Sequence, residues 1–357
     1  MVKAQATTPD TMRVAVLNDY SISTALKLIA EGSYPAQHSW GASLFKAMGA
    51  QAVVFPFHGA TLSASLRTQV AVLLQQHRFD VVYSACQSET WLLSRLRTLG
   101  LFRKPIVAVI HHPVSGRLRG GERFVRGHDS LLFLSRVACE HARAAWPALK
   151  DRMETVDWGV DLAFYDQQPV WDHGFGRNYF VSAGKANRDH QLLADCAAQG
   201  QHRTVIVCSE QTKPHQADAS CVTVVSDRSG HALSYGQLTS VYRDARAIVI
   251  PMQHVQGLAG LTSLLDAMAC GKPVIMTRNA SVDIDIEALG FGIWIDAQDA
   301  RSLRQAMDRL ATDDALVQQM GVKAREFAQT AYRYDTFART ILARCQAVCR
   351  ATQTPSP

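Results

Sequence analysis

The chain has 357 residues, 47% apolar and 19% charged, with a net charge of +6. That is enough apolar material for two cores of ordinary size. It is too little positive charge for a dedicated nucleic-acid binder, although it suits phosphate-bearing ligands or an anionic membrane surface. Residues 1–11 are polar and lack the apolar centre of a signal peptide, and no apolar run approaches the roughly 20 residues that span a bilayer. A soluble, cytoplasmic protein is expected, with peripheral contact at the inner face of the membrane as an extension of that reading. The eight cysteines (Cys86, Cys139, Cys196, Cys208, Cys221, Cys270, Cys345, Cys349) show no CxxC spacing and mostly lie in apolar patterns. They read as buried free thiols of a reducing compartment. No zinc site is expected at Cys345 and Cys349, because no histidine pair accompanies them.

In chain order, strands are predicted at 13–18, 53–55, 80–84, 106–110 and 131–134. Helices are predicted from Gly41 to Gly49, over 62–76, around Trp91, Leu92, Leu96 and Leu99, and over 138–146. Residues 19–40 and 112–128 read as long loops. A polar stretch at 165–177, with Pro169 and two glycines, marks a composition break. A second alternating series follows, with strands at 179–183, 204–208, 222–225, 247–251 and 292–295. Its helices are predicted at 189–198, 235–245, 300–311 and 314–329. Phe327, Tyr332, Tyr334, Phe337, Ile341 and Leu342 suggest a last amphipathic helix. Strands alternating with helices predict an α/β chain with doubly wound parallel sheets.

The most informative stretch runs from Gln256 to Met276. Gly257 and Gly260 permit a tight loop with bare N–H groups. Leu261, Leu264, Leu265 and Met268 then recur at helical spacing, Gly271 and Pro273 stop the helix, and Val274-Ile275-Met276 reads as a buried strand. A glycine loop feeding a helix N-terminus suits an anion, since free amides and the helix dipole point the same way. Asp266 falls between core leucines, where it is expected to face a cleft and accept hydrogen bonds from a ligand's hydroxyls.

This segment resembles the donor-binding element of retaining GT-B glycosyltransferases of the GT4-like superfamily, glycosyl transferases group 1. That pattern ends in Glu-Ala-Met-Ala-x-Gly-x-Pro-Val, and Asp266 to Val274 matches it with Asp for Glu. Leu258 stands where the family usually has a second Glu, leaving Gln256 or His254 as substitutes. Thr155 to Phe164 is similar to the family's Asn-Gly-Val-Asp hinge, with Trp158 for Asn. The Gly-Gly turn after the first strand is missing. Asp161 also fits a plain N-cap.

The resemblance runs over most of 153–345 and is weaker over 13–152. It implies a GT-B fold of two facing Rossmann-like domains. These would be an acceptor domain over 12–162, a linker over 163–177, a donor domain over 178–332 and a helix over 333–350 returning to the first domain.

The implied reaction moves a sugar from a nucleotide-diphosphate sugar to a hydroxyl, on a glycan, a lipid-linked glycan or a small molecule, with retention and without cofactor. Gly184, Lys185 and Arg188 follow the first strand of the second domain, where two cations suit a diphosphate. Cys208 and Glu210 end the next strand, near the expected base. With Gly257, Gly260, Leu261, Thr262 and Asp266 they make up the donor set. His111, with His112 as second choice, closes the fourth strand where relatives carry a catalytic His. Acceptor-side candidates are Asn18, Tyr20, His38, Trp40 and Arg117. The stretch from Arg95 to Arg126 is basic, open to an anionic membrane or lipid-phosphate acceptor and equally to a plain solvated face. Asp283-Ile284-Asp285 has a DxD form, but helix-start carboxylates are the preferred reading and no metal is expected. Two rivals stand beside the transferase: a catalytically silent GT-B domain binding a nucleotide sugar or glycan, and a GT-B sugar-nucleotide epimerase.

Overall fold

A computed structural model describes residues 11–114, 121–229, 231–255 and 257–353. Arg117, Arg119 and Gln256 lie outside the described residues. The first part of the chain forms strands β1 (Met12–Leu17), β2 (Ala50–Val54), β3 (Val81–Ser84), β4 (Ile106–Ile110), β5 (Ser130–Phe133) and β6 (Met153–Thr155). Among them run helices α1 (Ile22–Ala30), α2 (Ala42–Phe45), α3 (Leu62–Leu74), α4 (Trp91–Thr98), α5 (Gly121–Arg126) and α6 (Arg136–Ala145). The second part holds α7 (Leu162–Gln167), β7 (Phe180–Gly184), α8 (His190–Gly200), β8 (Thr204–Ser209), β9 (Val222–Asp227) and α9 (Tyr235–Asp244). It continues with β10 (Ala247–Ile250), α10 (Leu261–Ala269), β11 (Val274–Thr277), β12 (Gly292–Ile295), α11 (Ala300–Thr312) and α12 (Asp314–Thr330). The last helix is α13 (Tyr334–Gln353).

These elements fall into two compact units. One joins Met1–Leu28, His38–Asp157 and Asp335–Pro357; the other joins Ile29–Gln37 and Trp158–Tyr334. Each has a six-stranded sheet whose pairings are all parallel, in orders β2-β1-β3-β4-β5-β6 and β12-β11-β10-β7-β8-β9. The inner strands read as unbroken runs of Val, Ile and Ala because helices cover both faces of such sheets. Val107, Val109 and Ile110, and likewise Ile248, Val249 and Ile250, are fully or almost fully buried. In the second sheet the strand order reverses between β7 and β10. That is the point at which open parallel sheets bind ligands beyond their carboxyl ends.

Short polar side chains begin the helices. Thr61, Ser135, Asp161, Asp189, Ser234, Asp299 and Asp313 each accept a backbone N–H of the first turn, replacing partners that the helix itself cannot supply.

Several elements depart from the sequence reading. Residues 22–30 are helical where a loop was expected; Ser21 Oγ accepts Thr24 N at 3.2 Å and starts the turn. A six-residue helix, α5, closes the loop expected over 112–128. The helix after Gly41 is shorter than predicted, since α2 ends at Phe45. Phe327 belongs to α12 and Tyr332 to the turn after it, so only Tyr334 and later residues line the last helix. Asp285 starts no helix. Its carboxylate accepts Ala288 N at 3.2 Å and Trp294 Nε1 at 3.1 Å, within a turn, and these bonds hold it below the usual carboxylate range.

Candidate functional site

In the second unit, two loops flank the reversal point of the sheet. One runs from Gly184, the last residue of β7, to Asp189, the N-cap of α8. The other runs from Pro251, just after β10, to Gly260, the N-cap of α10. They are stitched together by backbone and amide bonds. Asn187 Nδ2 donates to His254 O at 2.7 Å, and His254 N donates to Asn187 Oδ1 at 3.0 Å. Asp189 N donates to Pro251 O at 2.9 Å. Asn187 takes a positive φ of 53°, a region where Asn is among the better-tolerated side chains.

Arg188 is the centre of this arrangement. It is only 7% exposed, and its Nη2 donates to Ser263 Oγ at 3.1 Å while Ser263 Oγ donates to Ala183 O at 3.2 Å. Its Nε is buried without a hydrogen-bond partner, and burial holds the guanidinium below its ordinary pKa. A Cβ at position 184 would lie 2.8 Å from that Nε, so Gly184 is what lets the side chain fold over the strand end. An unpaired buried donor costs free energy until something accepts from it.

Gly260 caps α10 with a φ of 90° and no side-chain cap, so the amides at the first turn are left to an outside acceptor. A Cβ there would meet Met276 Cε at 2.6 Å and Ile250 Cγ2 at 3.2 Å. Gly260→Ala is therefore expected to destabilise the protein by roughly 1–3 kcal/mol through backbone strain and crowding, read as a lower denaturation midpoint in urea. Gly257 also has a positive φ, 72°, and its carbonyl accepts Asn279 Nδ2 at 3.0 Å. Leu261 is buried in the core and Thr262 is half-buried in the first turn.

The remaining donor-side residues spread around this centre. Lys185 is exposed, and its Nζ donates to His231 Nε2 at 2.7 Å. Partial burial lowers the Lys185 pKa, and burial together with Lys185 lowers that of His231. Cys208 is buried in β8, which pushes its thiol up to about 11. Glu210 is exposed and accepts Ser226 Oγ at 2.5 Å.

The sequence reading expected Asp266 to face a cleft; in the structure its carboxylate is shut into the interior. It is 4% exposed and accepts the Tyr165 hydroxyl proton. Tyr165 Oη in turn accepts Gln37 Nε2 at 3.0 Å. Burial raises the carboxyl to about 7, against the lowering effect of the Tyr165 hydrogen bond. Tyr34 and Tyr235 meet edge to face with ring centroids 5.0 Å apart, and Asp266 adds to the rise in the Tyr34 pKa that burial begins. Nothing in the sequence links Gln37, Tyr165 and Asp266, which are far apart along the chain. Ser263 had a visible signal, a hydroxyl in the first turn after a glycine cap, but its bond to Arg188 had none.

In the first unit, His111 follows β4. Its Nε2 lies 2.6 Å from Ala85 O, so that nitrogen carries the proton. Burial lowers the imidazole pKa and keeps it neutral. Gln87 holds the segment through His111 N at 2.7 Å and His112 N at 3.0 Å. The Trp40 ring lies 4.8 Å from that of His111. Trp40 Nε1 donates to Tyr20 Oη at 2.8 Å, and Tyr20 donates to His38 O at 2.7 Å. Three acceptor-side candidates thus form one cluster with His111. Asn18 directly follows β1, buried, with no partner for its Nδ2.

Residues 230–327 match the family model described as glycosyl transferases group 1. A 92-residue segment is 33% identical to D-inositol 3-phosphate glycosyltransferase of Corynebacterium jeikeium (strain K411), covering 26% of this chain and 21% of that protein. The match thus spans about a fifth of that curated relative's length. Among solved structures, sucrose-phosphate synthase from Thermosynechococcus elongatus superposes with a TM-score of 0.68 at 14% identity, covering 95% of this chain and 100% of the other. HepE from Anabaena in complex with UDP superposes with a TM-score of 0.63 at 14% identity, covering 94% and 100%. A glycosyltransferase from Rickettsia africae gives 0.66 at 11% identity, covering 98% and 100%. The chain has the GT-B fold, and within it the segment 230–327 is similar to the glycosyl transferases group 1.

Proposed function

We propose that the protein is a glycosyltransferase that moves a sugar from a nucleotide-diphosphate sugar to a hydroxyl acceptor, with retention of configuration, as in the GT4-like enzymes. The observation that carries this reading is Arg188: a buried guanidinium with one N–H unpaired, beside the uncapped start of α10, at the reversal point of a parallel sheet. A diphosphate supplies the acceptors that these donors lack. HepE, which shares the fold, has been solved with UDP and with UDP-glucose.

In this reading the α10 amides and Arg188 bind the diphosphate, and Lys185 joins them on its exposed side. As the glycosyl–oxygen bond breaks, negative charge grows on the leaving phosphate, and fixed donors stabilise it more than they stabilise the bound donor sugar. Asp266 receives the ribose hydroxyls once the Tyr165 hydroxyl is displaced from it, Cys208 and Glu210 border the base, and neutral His111 hydrogen-bonds the transferred sugar. The acceptor is a glycan, a lipid-linked glycan or a small molecule, approaching the first unit through Asn18, Tyr20, His38 and Trp40. The basic stretch from Arg95 to Arg126 suits a phosphate-bearing acceptor presented at the inner face of a membrane. The reaction runs without metal, since Asp285 of the DxD sequence is already engaged by Ala288 N and Trp294 Nε1, and EDTA is expected to leave turnover unchanged.

Release of nucleoside diphosphate from a panel of UDP, GDP and ADP sugars tests the reading. A donor that binds without release would turn it into a silent nucleotide-sugar binder, an alternative supported by Leu258 in place of a second carboxylate and by the engagement of Asp266 with Tyr165. With an active donor in hand, His111→Ala is expected to lower kcat by about 100-fold, the scale of one positioned polar catalyst. Donor affinity should change little; equal kcat in the variant would remove His111 from the mechanism.

A further inference from the structure

The outer face of α3 carries an exposed apolar stripe. Leu62, Leu66, Val70 and Leu74 recur every four residues and are 48%, 38%, 39% and 74% exposed. Side chains four apart stack along one side of a helix. The opposite side of α3 is already used: Ala64 and Val72 are buried, and Gln69 Oε1 accepts Leu92 N at 2.8 Å and Leu93 N at 3.2 Å, tying α3 to α4. The stripe is therefore surplus to the core of its own unit. Beyond the end of α4, Leu99 and Leu101 are also exposed, just before Arg103 and Lys104.

The segments that carry these residues hold no carboxylate. No Asp or Glu occurs between Glu31 and Asp80, or between Glu89 and Glu122. Those two stretches contain α3 and α4, with Arg67, Arg78, Arg95, Arg103 and Lys104, and with Arg97, whose charge is already paired with Asp129 at 2.6 Å. Of the flanking carboxylates, Asp80 is paired with Arg13 at 2.8 Å, and Glu89 is buried and accepts Ser88 Oγ at 3.1 Å.

We propose that this face of the first unit docks on an anionic phospholipid surface, with α3 lying in the headgroup plane. An aliphatic stripe bordered by cations, on a helix without acidic residues, matches both the apolar and the charged layers of such a surface. A second copy of the chain fits less well, because two acid-free faces would bring like charges together. The donor reading plays no part in this inference.

The test is co-sedimentation of the full chain with phosphatidylcholine vesicles, with and without phosphatidylglycerol. Binding is expected only when phosphatidylglycerol is present, and should weaken as salt is raised. Leu66→Ser with Leu74→Ser is expected to weaken vesicle binding about tenfold or more. Its melting temperature should fall by only a few degrees, since Leu74 is 74% and Leu66 38% exposed. Arg67→Ser with Arg103→Ser is expected to weaken binding and flatten its salt dependence. Absence of binding to phosphatidylglycerol vesicles, or equal binding by the two-leucine variant, would overturn the proposal. So would a concentration-dependent dimer that the two-leucine variant abolishes, since that would assign the face to a second copy.

Discussion

Arg188→Ala is expected to weaken binding of a nucleotide-diphosphate sugar by well over tenfold, read by titration calorimetry. That scale follows from losing a charge-assisted contact in a water-poor place, worth about 1.5–3 kcal/mol. The side chain is already held in place before any ligand binds. Its Nη2 rests on Ser263 Oγ, and Gly184 gives the guanidinium room over the strand end. Little ordering then remains to be done when the ligand arrives. Arg188→Lys keeps the charge but loses the fork, so it should recover only part of the affinity. Arg188→Met, close in volume, controls for packing. If Arg188→Ala and Arg188→Met bound the donor as tightly as the unaltered protein, the phosphate would have to be held elsewhere.

Asp266→Asn is expected to remove a pH dependence from the stability of the ligand-free protein. Burial raises the Asp266 carboxyl to about 7, whereas in an unfolded chain it titrates near pH 4. A carboxyl raised on folding favours the folded state at low pH. Its contribution is complete below about pH 4 and is lost as pH rises through about 7. Asparagine still accepts the Tyr165 hydroxyl and has no proton to lose. The melting temperature of Asp266→Asn minus that of the unaltered protein should therefore grow from about pH 5 to about pH 8. His128 and His190 act in the opposite direction, since burial pushes both down to about 4; they are common to both proteins and cancel in the difference. A difference that stays flat over that range would mean that Asp266 is ionised at low pH in the folded chain.

The fold was readable where a segment combined an apolar run with a clear stop. Strands at 106–110 and 292–295 coincide with β4 and β12, and Gly260, Gly271 and Pro273 bracket α10 and the turn to β11. It was less readable where the helix signal was short or polar. Residues 22–30 read as loop, although Ser21 and the periodic Ile22, Ala25 and Ile29 mark a helix. Gly121 to Arg126 is too short for a periodic pattern to show.

The candidate site divides in the same way. Gly184, Arg188 and Gly260 sit at strand ends and loop closures, where local chemistry points to an anion before any tertiary contact is known. The pairing of Arg188 with Ser263, of Asn187 with the backbone of His254, and of Asp266 with Tyr165 depends on how the loops meet. Such contacts leave no spacing in a single sequence. The burial of Asp266 is the clearest case, because the same Asp among leucines fits either a helix face on a cleft or a core position closed by an aromatic hydroxyl.

The most direct measurement is a crystal structure of the protein with a bound nucleoside diphosphate. The diphosphate is expected at the N-terminus of α10, within hydrogen-bond distance of Arg188 and of the amides of Leu261 and Thr262. A diphosphate bound with full occupancy at any other place, leaving the Arg188 Nε unpaired, would contradict the proposed donor site.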